Sequence, residues 1–137
     1  MGYPMLSHVD VRVRDRARAE AFYDRVFAIL GGERTTGKQF TTWSRTIERG
    51  LSDGRESYDW FGIIEDKAMT PGSTRISFYA PDRATVDKLA AILPEIGATT
   101  IEWADGDYGA AYYAVFFCDP DGNPLELCCC EPGESIS

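Results

Sequence analysis

The single histidine of this chain restricts the metal chemistry that it can support. His8 is the only imidazole in 137 residues. The 2-His-1-carboxylate site of non-haem Fe(II) oxygenases needs two imidazole ligands at each metal ion. Even a two-fold dimer with two equivalent sites would supply one histidine to each. The sequence therefore argues against oxygenase chemistry of that type.

Thiol chemistry is the second possibility raised by residue type. The four cysteines all lie in the last fifth of the chain: Cys118, Cys128, Cys129 and Cys130. They form no CxxC pair and no spaced framework of the disulfide or zinc-site kind. Because free cysteine usually behaves as a small buried hydrophobe, we predict free thiols that pack as strand residues. A redox or metal role is the alternative.

The start of the chain predicts a strand that positions His8. Polar and apolar residues alternate over 8–13, the pattern of a half-buried β-strand. The three valines share one face, and the polar residues share the other: His8, Asp10 and Arg12. Asp15 is placed to cap a helix with apolar residues at spacings of three and four, and Gly31-Gly32 ends it.

The same pattern returns in the second half of the chain. An alternating segment begins at Arg75, Asp82 takes the helix-capping position, and the next helix ends near Gly97. The two caps are 67 residues apart (82 − 15), and the same offset carries His8 to Arg75. After each helix the sequence is strand-like and aromatic, with turn signals between the strands. We therefore predict an internal duplication with one helix and several strands in each half.

This order of elements, present twice, resembles the vicinal oxygen chelate group, the superfamily of glyoxalases, bleomycin resistance proteins and extradiol dioxygenases. The Asp-Pro-Asp-Gly-Asn-Pro-Leu-Glu-Leu stretch at 119–127, the opening Ser7-His8-Val9 and the helical Ala21-Phe22-Tyr23 show the likeness best. The resemblance implies one α+β domain over 1–137. In it, two βαβββ modules, about 5–66 and about 73–130, form a curved, mostly antiparallel sheet around a cavity. The helices lie on the outer face, and 131–137 form a tail.

The resemblance also implies where metal ligands would lie. In metal-using members, ligands project into the cavity from the first strand of each half and from the last strand after the Asp-Gly-Asn turn. Those places hold His8, Arg75 and Glu126 here. Arg75 departs from the pattern, because a guanidinium has no lone pair for a metal and would repel one. The repeat offset (126 − 67) adds Asp59 as a candidate ligand.

One hypothesis is a metal-dependent lyase or thiol transferase of the glyoxalase type. His8, Glu126 and Asp59 would hold one Zn, Ni, Mn or Mg ion that polarises a substrate oxygen. Glu126 is then the predicted catalytic carboxylate, because a carboxylate beside the ion can move a proton. Arg75 would clamp an anionic group of the substrate through its bidentate donor fork.

The alternative hypothesis, which we favour, is a small-molecule-binding protein with a metal-free or weak-metal cavity. Arg75 would pair directly with Glu126 and so replace the metal. Asp10 and Arg12, on the face of His8, belong to the predicted ligand-binding set. The predicted aromatic walls, which would suit a planar or cationic guest, are Trp60, Trp103, Tyr108, Tyr112 and Tyr113.

The net charge and hydropathy of the chain limit the classes of partner and the cellular compartment that we predict. A formal net charge of −8 argues against nucleic acid, whose binding needs a basic face. No apolar run approaches the roughly 18 residues that cross a bilayer. The first residues lack a basic segment followed by an apolar one, so we predict a cytoplasmic protein. The resemblance implies a homodimer that binds a small organic molecule.

Overall fold

The alternating residues at the start of the chain form the first strand of a four-stranded sheet. The computed structural model describes residues 5–47, 57–104 and 111–130. Its contacts divide the chain into two compact units, Met1–Met69 and Thr70–Ser137, which we call unit 1 and unit 2. Tyr108 and the predicted tail at 131–137 lie outside the described residues.

Unit 1 is a βαβββ unit. Its elements are β1 (His8–Val13), α1 (Arg16–Leu30), β2 (Glu33–Thr36), β3 (Phe40–Ile47) and β4 (Ser57–Glu65). The strands lie in the order β1-β4-β3-β2. β1 runs parallel to β4, and the other neighbours are antiparallel.

Unit 2 repeats this arrangement. Its elements are β5 (Ile76–Tyr79), α2 (Arg83–Ile96), β6 (Thr99–Trp103), β7 (Tyr112–Cys118) and β8 (Pro124–Cys130). The strand order is β5-β8-β7-β6, again with one parallel pair, β5 and β8. The predicted fold class, an α+β fold built from two βαβββ units with open curved sheets, is therefore confirmed.

Both helices begin and end where the sequence predicts. The Asp15 side chain accepts a hydrogen bond from the Arg18 amide, and Asp82 accepts one from the Thr85 amide, so each aspartate satisfies a free N–H of the first turn. Gly31 and Gly97 have φ angles of 78° and 97°, a left-handed conformation that glycine adopts without strain. No helix within the described residues is long and apolar enough to span a bilayer.

The core of each unit lies between the helix and one face of the sheet. In unit 1 it is mostly aromatic: Phe22, Tyr23 and Phe27 of α1 pack with Trp43 of β3 and Phe61 of β4. Because side chains alternate along a strand, every second residue of these strands points to the opposite face. Each sheet therefore has a second face that its own helix does not cover.

Candidate functional site

The polar face of β1 places His8 against Trp60. The two residues are partners in the parallel pairing of β1 and β4, so their side chains lie side by side. The imidazole and indole rings stack with 3.9 Å between their centroids and 3° between their planes. Ser7 Oγ lies 2.9 Å from His8 Nδ1. Ring stacking and this hydrogen bond together hold His8 in place beside the indole.

An open cavity of about 540 Å³ lies on the same face of unit 1. Residues of β1, β3 and β4 line it: Asp10, Phe40, Thr42, Ser44, Trp60, Gly62 and Ile64. Gly62 is needed for this shape, because a Cβ there would lie only 3.0 Å from Trp60 Cζ3. The cavity therefore combines aromatic and aliphatic walls with two hydroxyls and one carboxylate.

Asp10 and Arg12 share the polar face of β1 with His8, as the alternation predicts. The Asp10 carboxylate lines the cavity and accepts a hydrogen bond from Arg12 Nη1 at 2.7 Å. Both side chains remain partly exposed, at 36% for Asp10 and 48% for Arg12. The carboxylate at the cavity edge is thus already partly neutralised by its neighbour.

The structure contradicts the prediction that Asp59 is a metal ligand beside His8. Asp59 lies across from Arg45, and its carboxylate is 3.8 Å from Arg45 Nη2. Because Trp60 projects to the cavity face, its neighbour Asp59 projects to the helix face. Arg45 is on that face too, since its guanidinium donates to the carbonyl of Leu30 in α1. Asp59 and His8 therefore lie on opposite sides of the sheet.

The register of the two sheets shows why the offset of 67 residues does not identify the equivalent of Glu126 in unit 1. Asp10 pairs with Gly62 in unit 1, and Ser77 pairs with Glu126 in unit 2. The offset between Asp10 and Ser77 is 67, but that between Gly62 and Glu126 is 64 (126 − 62). The second half is three residues shorter between its first and last strands. Gly62, not Asp59, is therefore the structural equivalent of Glu126.

Glu126 is a buried carboxylate on the sheet of unit 2. It lies between Ser77 of β5 and Phe116 of β7 and is 6% exposed. Its Oε2 has no hydrogen-bond partner among the described residues. Burial raises the pKa of Glu126, while hydrogen bonding to Ser77, the charge of Arg75 and hydrogen bonding to Cys128 act in the opposite direction. Such a group is a candidate for contact with a ligand.

The predicted direct contact between Arg75 and Glu126 is absent from the described structure. The Arg75 guanidinium lies instead over the Phe116 ring, 4.2 Å from its centroid. Arg75 precedes the Ser77–Glu126 pair by two residues, so its long side chain can cross β8 and reach the aromatic face on β7. A guanidinium is weakly hydrated and stacks well on such a face.

Trp103 and Tyr113, predicted as aromatic walls, lie on the helix side of the unit 2 sheet. Their ring centroids are 5.3 Å apart. The Tyr113 hydroxyl donates to Asp87 of α2 at 2.6 Å, and this bond, together with burial, raises the pKa of Tyr113. Among the predicted wall residues that the structure describes, Trp60 alone lines the cavity of unit 1.

Five residues of the cavity were missed by the sequence analysis: Phe40, Thr42, Ser44, Gly62 and Ile64. All five alternate along β3 and β4, and period-two alternation was the signal that could have identified them. The signal alone does not say which face of each strand adjoins His8. That choice depends on strand pairing.

Among the residues that the structure describes, the donor groups of neither unit fit a resident divalent ion. The described residues contain no group of three or more His, Cys, Asp or Glu side chains placed to share one. Asp59 faces the helix, and Arg75 occupies a position where the resemblance implies a ligand. Cys118, Cys128 and Cys129 are free thiols, as predicted, and Cys128 accepts a hydrogen bond from Ser77.

Comparison with known proteins agrees with this architecture. Residues 5–127 match the model of the Glyoxalase/Bleomycin resistance protein/Dioxygenase superfamily. The chain is similar to a glyoxalase/bleomycin resistance protein from Albidiferax ferrireducens T118, at 26% identity, with 91% of this chain and 98% of that chain covered and a TM-score of 0.70.

Two further solved structures share the fold at lower identity. One is a glyoxalase/bleomycin resistance protein/dioxygenase family enzyme from Burkholderia phytofirmans PsJN, at 20% identity, with 89% and 95% of the two chains covered and a TM-score of 0.63. The other is the fosfomycin resistance protein FosX from Mesorhizobium loti, at 19% identity, with 96% and 97% covered and a TM-score of 0.63. These identities show the fold alone. No curated protein matches the sequence.

Proposed function

The chain belongs to the glyoxalase/bleomycin resistance protein/dioxygenase superfamily, and we propose that it binds planar small organic molecules without a catalytic metal. The observation that supports this most is the cavity of unit 1, where Trp60 is braced by the parallel ring of His8. An indole held in this way gives a guest a flat surface at little cost in conformational entropy. Small-molecule sites are typically concave and mostly apolar with few polar groups, as this cavity is.

Charge favours a cationic guest over an anionic one. The chain has a formal net charge of −8, which attracts cations from solution. Asp10 is the carboxylate among the cavity-lining residues, and a bound cation would compete with Arg12 for it. The electron-rich face of Trp60 adds a cation–π contribution, and indole is the best aromatic side chain for that interaction.

A metal-dependent lyase or thiol transferase remains the alternative function. The unsatisfied Oε2 of Glu126 favours it, because a carboxylate oxygen of that kind can bind an ion. The orientation of Asp59 and the presence of Arg75 disfavour it. Loss of bound metal, and of any stabilisation by metal, after a His8→Ala substitution would support this alternative.

The proposed function predicts metal-independent binding that requires Trp60. The probe is proflavine, a planar organic cation, added to protein treated with EDTA while tryptophan fluorescence is recorded. We expect Trp60→Leu to weaken binding by about tenfold or more. Gly62→Val should also abolish binding, because its side chain would occupy space next to Trp60.

Trp103→Leu is the matched control, since it removes an indole from the helix side of the other unit. Its affinity for proflavine should equal that of the original protein. Elemental analysis of the purified protein accompanies the titration. Binding that survives Trp60→Leu, or that appears only after a divalent metal is added, would show that the proposed function is wrong.

We also propose that the protein acts in the cytoplasm as a homodimer. β1 and β2 form the edges of the unit 1 sheet, and β5 and β6 form those of unit 2. Unpaired edges can associate with a second copy, and most oligomers of soluble proteins are symmetric dimers. The mass in solution, measured by light scattering, tests this directly.

A further inference from the structure

The guanidinium of Arg16, the first residue of α1, holds the turn between β2 and β3. It donates to the carbonyls of Gly37, Lys38 and Phe40 at 2.5, 3.0 and 2.7 Å. Its Nε donates to the Thr41 hydroxyl at 2.9 Å. Because a guanidinium carries its donors in one rigid plane, a single side chain can fix several backbone carbonyls together. Arg16 therefore fixes the path of the chain over residues 37–41.

Arg16 is itself held firmly within unit 1. Its backbone amide donates to the Glu65 carboxylate at 2.9 Å, and its side chain is 21% exposed. The buried Thr41 hydroxyl that accepts from Arg16 donates in turn to Glu20 at 2.8 Å. Charge-assisted hydrogen bonds that are partly shielded from water are stronger than neutral, exposed ones. The turn is thus tied to the helix and to the end of β4.

Phe40, the first residue of β3, connects this turn to the cavity. It lines the cavity, and its ring lies against Gly37, where a Cβ would come within 3.1 Å of Phe40 Cε2. Phe40 is 46% exposed, so core packing does not hold its ring in place. The ring forms a fixed wall because the backbone beneath it is held.

Phe40 and Trp60 lie at opposite ends of the cavity. Phe40 pairs with Ile64, four residues along β4 from Trp60. Four residues of a strand span about 13 Å, at roughly 3.3 Å each. Gly62 lies between the two ends and has no side chain to fill the gap. A guest with three fused rings can therefore contact both ends, whereas a single ring on Trp60 cannot.

We propose that Arg16 is a positioning residue that sets the length of the guest that the cavity of unit 1 prefers. By holding the turn, Arg16 keeps Phe40 as a second wall, which a long planar cation contacts together with Trp60. A short guest contacts Trp60 alone and does not depend on Arg16. This inference rests on the proposed function and names the size class of its ligand.

The test compares two planar cations of different length, proflavine with three rings and benzamidine with one. Both are titrated into EDTA-treated protein while tryptophan fluorescence is recorded. We expect Arg16→Met to weaken proflavine binding by about fivefold or more and to change benzamidine binding by less than about twofold. Loss of a positive charge would by itself strengthen the binding of any cation. A selective weakening therefore reports the loss of the second wall.

A second substitution tests whether Arg16 acts through Phe40. Phe40→Ala should show the same selective loss of proflavine affinity. Adding Arg16→Met to Phe40→Ala should cause no further loss, because both changes remove the same wall. Arg16→Lys keeps the charge but lacks the planar fork, so its affinity for proflavine should lie between those of the original protein and Arg16→Met.

The order of the turn is measured without any guest, by ¹⁵N relaxation of the full chain. In Arg16→Met, the order parameters of the Gly37 and Lys38 amides should fall from about 0.85 to below about 0.6. Arg34→Met is the matched control, because it removes a guanidinium that donates to the side chains of Glu20, Asp24 and Thr36. It should leave both the order of the turn and the two affinities unchanged.

Equal weakening of both guests by Arg16→Met would overturn the inference and leave the proposed function standing, as would an unchanged order of the turn. Failure of proflavine to bind the original protein would instead overturn the proposed function. If Arg16→Met does not fold, the same comparison is made with Arg16→Lys and Phe40→Ala, and equal weakening of the two guests has the same meaning there.

Discussion

Replacing Asp119 by alanine should lower the free energy of unfolding by about 3–5 kcal/mol, the largest loss expected from any single change considered for this chain. Asp119 is fully buried at the turn before β8. Its Oδ1 accepts hydrogen bonds from the amides of Asp121 and Asn123, and its Oδ2 accepts one from Asn123 Nδ2, all at 2.9 Å. Alanine would leave those three donors without this acceptor inside the protein.

The measurement is urea denaturation followed by circular dichroism. Asp66→Ala is the matched control, because Asp66 is exposed and its carboxylate accepts one hydrogen bond, from the amide of Ala68. We expect it to cost no more than about 1 kcal/mol. If Asp119→Ala lowers the free energy of unfolding as little as the control does, the turn does not depend on the buried carboxylate of Asp119. The turn also leads directly into β8, so its loss should disturb the position of Glu126.

Replacing Glu126 by leucine should have the opposite effect and stabilise the protein by about 1–3 kcal/mol at neutral pH. Burial disfavours the ionised form of Glu126 and leaves one oxygen unsatisfied. Leucine is apolar and needs no hydrogen-bond partner. A gain in stability on removal of a charged group would indicate that the group is retained for binding, because functional sites often reduce stability.

The effect of the Glu126 carboxyl on the free energy of unfolding changes with pH in a definite direction. Burial raises the pKa of the Glu126 carboxyl in the folded state above its value in the unfolded state. The folded state therefore holds this proton more strongly, and the protein loses stability as the pH rises from the unfolded pKa through the folded pKa. The advantage of Glu126→Leu should thus be full at neutral pH and shrink as the pH falls through the folded pKa.

Thermal unfolding from about pH 4 to pH 8 measures this difference. Glu33→Leu is the control, since Glu33 is an exposed carboxylate on β2. Its stability relative to the original protein should stay nearly constant over the same range. A pH-independent effect of Glu126→Leu would show that the carboxyl titrates normally in the folded protein.

Local signals in the sequence predicted the elements and their caps well. The alternation over β1 correctly separates its polar face from its valines. Asp15 and Asp82 cap the helices, and Gly31 and Gly97 end them. These features follow from interactions between residues close together in the chain, such as a side chain and the amide three residues later.

The sequence by itself therefore determined the two βαβββ units and the side of β1 on which His8 and Asp10 lie. Only the tertiary structure decided which residues of other strands lie beside them. The spacing between the paired first and last strands is three residues shorter in unit 2 than in unit 1. The structural equivalent of Glu126 is therefore Gly62 and not Asp59. Because strand residues alternate between faces, an odd shift also turns a side chain to the other side of the sheet. The tertiary structure also decided that the Arg75 guanidinium lies over the Phe116 ring. Pairing across strands, unlike alternation along them, depends on contacts between residues that are distant in the chain.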